Sequence, residues 1–222
     1  MTNNSSRYIP ALSFKLLTPF YDPLLKWGMR EELFKRKLIE QAQIKPGDQV
    51  LDLGCGTGTL TIMLKQSAPQ ANVIGLDGDE QVLAIARSKG RQAAVDIQWN
   101  NGLAYNLPYP DDSFDAVVSS LMIHHLVSAD KTRAFHEVRR ILRPGGKFHL
   151  IDFGVPHNPC EYLLSLVDRQ LEEADDNARG RLPAMLSSAG LQGIEEVFHL
   201  TSIFGPLSML RAAKPSNQER HV

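Results

Sequence analysis

The sequence predicts a doubly wound α/β fold built on a seven-stranded, mostly parallel sheet. Short β-rich runs alternate with helical periodicity along the chain, which is typical of a parallel sheet covered by helices on both faces. A glycine-rich turn follows the first of these runs, at the strand end where such folds bind ligands. The length of 222 residues predicts one domain, at roughly 150 residues per domain.

Five core strands are predicted from runs rich in β-branched and apolar residues, over 49–53, 72–77, 95–99, 114–119 and 147–153. The helix before the fifth strand has Leu142 as its last apolar position. It ends at the Pro-Gly-Gly run 144–146, because proline cannot continue a helix and glycine takes the left-handed cap. Residues 193–212 predict two more strands, paired antiparallel at the sheet edge and joined tightly around Gly205-Pro206.

Helical segments precede and follow this core. The first begins with Asp22 as N-cap and Pro23 at the first helical position, and its periodicity runs to about Ala42. After the fifth strand, helices are predicted over 163–171 and over 182–189. The single domain 1–222 therefore divides into an N-terminal helical segment, a ligand-binding core, a helical insertion and a C-terminal strand pair, at 1–44, 45–155, 156–190 and 191–212.

The composition excludes several classes of protein. With 24 basic and 25 acidic residues the net charge is −1, which is not the basic footprint of a nucleic-acid binder. Two cysteines, Cys55 and Cys160, are too few for a disulfide scaffold or a four-cysteine zinc site. The acidic run 172–176 is interpreted as a solvated helix end, so we predict no metal site and no nucleic-acid partner.

The compartment follows from what the chain lacks. The N-terminal region has no charged segment followed by an apolar run of signal-peptide length. No stretch approaches the roughly 18 apolar residues of a spanning helix. We therefore expect a cytoplasmic protein without an integral membrane segment.

The glycine turn at 54–58 is the most informative segment. Its spacing is G-x-G-x-G, and Thr59 stands where a dinucleotide fingerprint has its third glycine. Asp52, just before the turn, would repel a pyrophosphate but attract an ammonium or sulfonium group. Asp77 ends the second strand, 19 residues after Gly58, a spacing suited to holding both hydroxyls of a ribose. The predicted ligand has a ribose, a positive charge and no phosphates, which describes S-adenosylmethionine and not NAD.

Four segments in this order resemble the class I S-adenosylmethionine-dependent methyltransferases: VLDLGCGTGTL, VIGLDGDEQVL, LAYNLPYPDDSFDAVVSSLMIHHL and EVRRILRPGGKFHLIDF. The resemblance implies a Rossmann-like methyltransferase fold. It is nearest to the small-molecule branch of ubiquinone and menaquinone biosynthesis, whose members also begin with a helical segment bearing a Tyr-Asp pair, here Tyr21-Asp22.

The resemblance also implies the cofactor-binding residues. Those of the turn shape the loop around the methionine moiety, with one carboxylate near its amino group: Gly54, Cys55, Gly56, Gly58 and Asp52. Of the remaining residues, Asp77 with Gly78 would meet the ribose, and the backbone of Leu103 and Ala104 would meet the adenine. Ser119 would lie under the methionine part, and Tyr21 would meet the methyl group. Leu103 stands where the family often has an acidic residue, so the contact of that residue with the adenine amino group is lost.

Candidate general bases follow the fourth strand. His125, and beside it His124, would remove a proton from an acceptor hydroxyl, whereas His149, Asp152 and His157 are less well placed. The alternative is that one histidine of the pair packs and the other caps the next helix. Aromatic faces at Tyr21 and Trp27 attract cations and could cover the methyl group. Ordinary helix packing is the alternative for both, and it is the favoured one for Trp27.

The predicted function is methyl transfer from S-adenosylmethionine to carbon or oxygen of a small, hydrophobic or aromatic metabolite, with a quinol favoured. By family resemblance, Ser119-Ser-Leu-Met122 in place of an Asn/Asp-Pro-Pro-aromatic tetrad argues against nucleic-acid amines and glutamine amides. An NAD(P)-dependent oxidoreductase, disfavoured by Asp52 and Thr59, and a non-catalytic methyltransferase-like binding protein remain as alternatives. The flanking helices can pack over the pocket or on a second subunit, so a homodimer stays open.

Overall fold

The computed structural model describes residues 31–163, 174–203 and 205–216, and it contains the predicted seven-stranded sheet. The strands are β1 (Gln49–Leu53), β2 (Asn72–Asp77), β3 (Gln98–Asn101), β4 (Phe114–Ser120), β5 (Leu142–Phe153), β6 (Gln192–Ser202) and β7 (Gly205–Ala213). Their order across the sheet is β3-β2-β1-β4-β5-β7-β6. The first five are parallel, and β7 pairs antiparallel with both β5 and β6. The predicted fold class is confirmed.

Helices cover both faces of this sheet. They are α1 (Glu31–Ala42), α2 (Thr59–Ser67), α3 (Glu80–Gln92), α4 (Ser128–Ile141), α5 (Asp175–Ala178) and α6 (Leu182–Ser188), with a 3₁₀ turn at Ile123–His125. On one face, α1 and α2 bury Phe34, Leu38 and Leu60 in a shared core. On the other, α4 and α6 bury Phe135 and Leu186 in a second core. No helix in the described part of the chain is long and apolar enough to cross a membrane.

Several element bounds differ from the predicted ones, most of all at the third strand and at the fifth, which begins at Leu142 rather than at residue 147. The third strand begins at Gln98 rather than at residue 95, because its pairing with β2 starts where Gln98 meets Ile74. The helix before the fifth strand ends at Ile141, ahead of Pro144, and Leu142 is already paired with Phe114 of β4. Proline disfavours helical geometry at the residue before it, Arg143, and the pairing of Leu142 with Phe114 ends the helix one residue earlier still.

Several predictions fall on residues that the structure does not describe. These are residues 164–173, together with Tyr21, Asp22, Pro23 and Trp27.

The acidic run 172–176 differs from its prediction at Asp176. Asp176, predicted to be solvated, is buried and paired with Arg181 at 3.0 Å and with the fully buried Lys131 of α4 at 3.6 Å. Burial alone would raise its pKa, but the Ser128 hydroxyl and the two cations lower it. Asp176 therefore ties the helical insertion to α4, and it is not part of a solvated end.

His149 of β5 is a buried polar side chain without a hydrogen-bond partner on either ring nitrogen. It lies between Val118 of β4 and Arg211 of β7 in the sheet register. Burial, together with the charges of Lys147 and Arg211, lowers its pKa from 6.5 to about 4. The imidazole is therefore neutral at neutral pH, and His149 is part of the sheet interior.

This burial predicts that His149 makes the fold less stable in acid. Between pH 6.5 and 4 the unfolded chain takes up a proton that the folded His149 does not, so this residue by itself lowers the folding stability by about 3 kcal/mol as the pH drops through this window. The buried Asp52, whose pKa is raised to about 6, acts in the opposite direction. We expect His149→Leu to remove the loss due to His149, measured by urea unfolding at pH 7 and pH 4.5. The exposed His136, changed to Leu, is the matched control and should leave the pH dependence intact. A His149→Leu protein as acid-sensitive as the parent would contradict the prediction.

Candidate active site

The glycine turn connects β1 to α2 at the carboxyl edge of the sheet. Gly54, Gly56 and Gly58 all have left-handed backbones, with φ of 72°, 54° and 79°. The N–H groups of Gly54 and Cys55 both donate to the carbonyl of Leu76, at 2.8 and 3.0 Å. The turn is thereby fastened to the end of β2, and side chains larger than hydrogen would strain its backbone.

Asp77, the predicted ribose ligand, lies against this turn. Its Oδ2 accepts the N–H of Gly56 and its Oδ1 that of Asp79, each at 2.9 Å. Burial raises the pKa of this half-buried carboxyl, and the two N–H donors partly offset the rise. Each carboxylate oxygen has a second lone pair, so Asp77 can brace the turn and still accept hydroxyl donors. Gly78 follows directly in the chain.

Trp99 of β3 is a residue of the site that the sequence analysis missed. A Cβ on Gly58 would lie 2.5 Å from the ring of Trp99, and one on Gly75 would lie 2.7 Å from it. The indole therefore packs under the turn in space that these two glycines leave open. Gly75 within a predicted strand was the available signal, since such a glycine often marks a close approach; it faces Trp99 in the β2–β3 register.

Lys89 supports the turn from α3. Its ammonium donates to the hydroxyls of Thr59 and Thr57, at 2.7 and 3.1 Å. Both threonines flank Gly58, so the lysine holds the end of the turn that enters α2. No local pattern in the sequence indicates this contact, because Lys89 and Thr59 are thirty residues apart along the chain.

Asp52 is almost completely buried in β1, just before the turn, with 1% of its surface exposed. Its Oδ2 accepts the hydroxyl of Thr61 at 2.6 Å. Burial raises the pKa of Asp52 to about 6, although the Thr61 hydrogen bond and the charge of Lys35 oppose the rise. At neutral pH most of this carboxyl is therefore ionised in a poorly solvated place, where a nearby cation would stabilise it.

Three further predicted residues line the same edge. Ser119, near the end of β4, is buried and donates its hydroxyl to the carbonyl of Leu53 at 2.9 Å. After β3, the N–H of Gly102 donates to the Asp77 carbonyl at 3.0 Å, which brings the following turn beside Asp77. That turn contains the half-buried Leu103 and the buried Ala104. Burial raises the pKa of the Cys55 thiol, so this cysteine is protonated.

A carboxylate–imidazole pair lies after β4. Asp152 of β5 and Nδ1 of His124 are 2.6 Å apart, and both side chains are buried, with 1% and 4% exposed. Asp152 also accepts the N–H groups of Ile123 and Phe153, each at 2.8 Å. Burial alone would raise its pKa, but His124 and these donors bring it below its usual range. Asp152, interpreted from the sequence as less well placed, is in contact with a candidate base.

The backbone leading to this pair is strained. Leu121 has a left-handed φ of 54°, and its N–H donates to Ile151 at 2.9 Å. A non-glycine residue in this region costs on the order of 1–3 kcal/mol, and such strain clusters at functional sites. The conformation turns the chain from β4 into the 3₁₀ turn that carries both histidines.

His125 is half-buried, and its ring centre lies 4.1 Å from that of His124. Val127, and neither histidine, occupies the N-cap position of α4, so the prediction that one of the two caps this helix is wrong. His124 instead packs edge-on against Phe153, with ring centres 4.8 Å apart. The exposed His157 is stacked on His199 of β6 and so belongs to a different group of side chains.

Comparison with known proteins places this geometry in a family. Residues 50–146 match the family model described as a methyltransferase domain. A 2-phytyl-1,4-naphtoquinone methyltransferase of Synechococcus elongatus is 35% identical over 152 residues, which is 66% of this chain and 64% of the relative. A demethylmenaquinone methyltransferase of Lactobacillus johnsonii is 38% identical, over 66% of this chain and 61% of the relative. The alignments thus span less than two thirds of these relatives.

Solved structures agree on the fold. A methyltransferase-like protein of Bacillus halodurans superposes with a TM-score of 0.68 at 20% identity, covering 82% of this chain and 99% of that one. A Haemonchus contortus phosphoethanolamine N-methyltransferase, solved with S-adenosyl-L-methionine, gives 0.68 at 18% identity, covering 82% of this chain and 52% of that one. The matched segment, residues 50–146, and the fold are similar to those of the class I S-adenosylmethionine-dependent methyltransferases. The two sequence relatives described above are quinone methyltransferases, in agreement with the predicted branch.

Proposed function

We propose that this protein transfers a methyl group from S-adenosylmethionine to a carbon or oxygen of a small hydrophobic acceptor of the quinol type. The observation that supports this cofactor is the pair of carboxylates, Asp52 and Asp77, on either side of a left-handed glycine turn. Two negative charges there suit a cationic ligand with a ribose, and they oppose a pyrophosphate. The acceptor class is supported by the relatives, which are named for demethylmenaquinone and phytyl-naphthoquinone.

The residues around the turn fit this cofactor. Asp77 would accept the ribose hydroxyls, and the buried charge of Asp52 would favour the amino group. The backbone at Leu103 and Ala104, next to Asp77, would meet the adenine. S-adenosylmethionine supplies an electrophilic methyl group on a sulfonium, which becomes a neutral thioether after transfer. Cys55, Gly78, Ser119 and Tyr21 stay predicted contacts.

His124 is the general base that the geometry favours. With Nδ1 donating to Asp152, the imidazole has its lone pair on Nε2, the atom that accepts a proton. Asp152 then stabilises the imidazolium and holds its orientation. Removal of the proton from an acceptor hydroxyl raises the electron density on the oxygen and on the ring carbon ortho to it. Either atom can therefore attack the methyl group, and His125, the base favoured by the sequence, becomes the second candidate.

Alignment supplies most of the rate in this proposal. Holding the acceptor in line with the methyl group is worth roughly 7–11 kcal/mol by the effective molarities of intramolecular reactions. Contacts with Trp99 and Lys89 hold the backbone of the glycine turn in place, so the cofactor would bind to a preformed site. The predictions of a cytoplasmic location, a homodimer, no nucleic-acid partner and the four-part division of the domain stay predictions.

The first test combines binding with turnover. We expect micromolar binding of S-adenosylmethionine and S-adenosylhomocysteine by calorimetry, and none of NADH. Reduced demethylnaphthoquinols, with a phenol and a catechol as comparison acceptors, would then be incubated with methyl-labelled cofactor. Label in the quinol product supports the proposal. Binding without label in any acceptor would favour the non-catalytic alternative, and tight NADH binding would favour the oxidoreductase.

A further inference from the structure

A second cluster of polar side chains lies at β6, the opposite edge of the sheet from β3. His157, in the segment after β5, meets Glu196 and His199 of β6, and one ligand atom from each lies within 4.8 Å of the others. We propose that these three residues bind a divalent transition-metal ion, zinc before others. The sequence analysis predicted no metal site, and the proposal is independent of methyl transfer.

The strand geometry brings two of the ligands to one side. In a regular strand, residues three positions apart point to opposite faces. A register shift between Glu196, opposite Leu210, and Phe198, opposite Met209, inserts a bulge between Glu196 and His199. The bulge lets Nδ1 of His199 approach Oε1 of Glu196 to 3.2 Å.

That separation suits two ligands of one ion. Nitrogen and oxygen atoms bound to zinc at about 2.0–2.1 Å in a tetrahedron lie roughly 3.3 Å apart. The third ligand is adjacent, because the ring of His157 is stacked on that of His199 with centres 3.9 Å apart and planes 9° from parallel. An imidazole binds a metal ion in the plane of its ring, so the exposed ring of His157 has to turn out of this stack to complete the set.

A buried carboxylate orients these ligands. Glu161 has 1% of its surface exposed, and its Oε1 lies 3.2 Å from Nε2 of His199. Its Oε2 accepts the backbone N–H of His157 at 2.7 Å, which holds the segment that carries this ligand but does not orient its ring. Metal-binding histidines usually donate their second ring N–H to such a carboxylate, which presents the other nitrogen to the ion. Ser208 similarly donates to Glu196 at 2.8 Å.

The donor set selects the metal. Two imidazoles and one carboxylate suit zinc, cobalt and nickel, whereas magnesium and calcium prefer oxygen alone. Three protein ligands leave one position for water. The ion would tie the segment leaving β5, whose last residues include Asp152, to the C-terminal hairpin. Its expected effect is a more stable fold that depends on the metal.

The test measures zinc binding directly. The untagged full chain with Cys160→Ser, which removes an exposed thiol, is titrated with zinc against a chromophoric chelator and melted with and without the metal. We expect one zinc per chain, a higher melting temperature with zinc, and no comparable response to magnesium. His157→Ala and Glu196→Gln, both at exposed positions, should each weaken binding at least about tenfold and abolish the shift.

Two controls make the result decisive. His136→Ala removes an exposed histidine outside the cluster and should bind zinc as the parent does. Glu161→Gln should lower the affinity by about 10- to 100-fold, as for other residues that orient a metal ligand. Unchanged affinity in His157→Ala and Glu196→Gln, or no zinc bound by the parent, would overturn the proposal. Neither result bears on cofactor binding, which is measured separately.

Discussion

Replacement of His124 by alanine is expected to lower kcat by about 10²- to 10⁴-fold and to leave the affinity for S-adenosylmethionine unchanged. The loss is that of a general base, and it appears only for acceptors that must give up a proton. The base is positioned by Asp152, which lies 2.6 Å from Nδ1 of His124. Asp152 is on β5, the strand next to β4, and His124 follows β4. Because the imidazole must be neutral to act, the loss of kcat at acidic pH should be smaller in the variant than in the parent.

The neighbouring residues separate this role from a structural one. Asp152→Asn keeps an acceptor for the N–H of Ile123 but not the negative charge. It should therefore lower kcat and change the pH profile, while it lowers the free energy of unfolding less than Asp152→Ala does. His125→Ala is the matched control and should have the lesser effect. Thermal melts check that each variant is folded. Full turnover in a folded His124→Ala protein, with loss in His125→Ala, would transfer the role to His125.

Replacement of Asp77 by alanine should weaken binding of S-adenosylmethionine and S-adenosylhomocysteine by about 10²- to 10⁴-fold. A hydrogen bond to a charged group is worth about 1.5–3 kcal/mol, and Asp77 would accept two from the ribose. Calorimetry measures the change. The exposed Asp96, changed to alanine, is the matched control and should bind both ligands normally.

The brace that Asp77 forms with Gly56 could by itself explain a loss, so a second ligand is needed. S-adenosylhomocysteine lacking the ribose 2′-hydroxyl should bind the parent more weakly than the complete ligand. In Asp77→Ala the two ligands should bind equally, because the group that distinguishes them is gone. An undiminished preference for the complete ligand in the variant would mean that Asp77 only supports the turn.

Local patterns account for much of the fold. The first two strands have the predicted bounds, because each is a short apolar run that ends at a turn or a carboxylate. Gly205-Pro206 likewise predicts the tight connection between the last two strands. The third strand is less well predicted, since it lies at the sheet edge and its start depends on pairing with β2 and not on its own residues.

The candidate site divides in the same way. The glycine turn, Asp52 and Asp77 lie within one strand–turn–helix–strand unit, so their spacing along the chain already predicts a ribose-binding, phosphate-free site. The contact between His124 and Asp152 joins residues 28 positions apart on different elements. Nothing in the local pattern distinguishes Asp152 from other strand residues, and burial against a histidine is what makes it informative.

By itself, the sequence determined the class of fold, the family and the type of cofactor, because those depend on periodicity and on motifs confined to neighbouring elements. Tertiary structure was needed for the pairing of His124 with Asp152, the packing of Trp99 under the glycine turn, the burial of Asp176 and the approach of His157 to Glu196 and His199. Each of these contacts joins distant segments, and each depends on sheet register or helix packing. Those are set by the burial of the whole apolar core, which no single segment specifies.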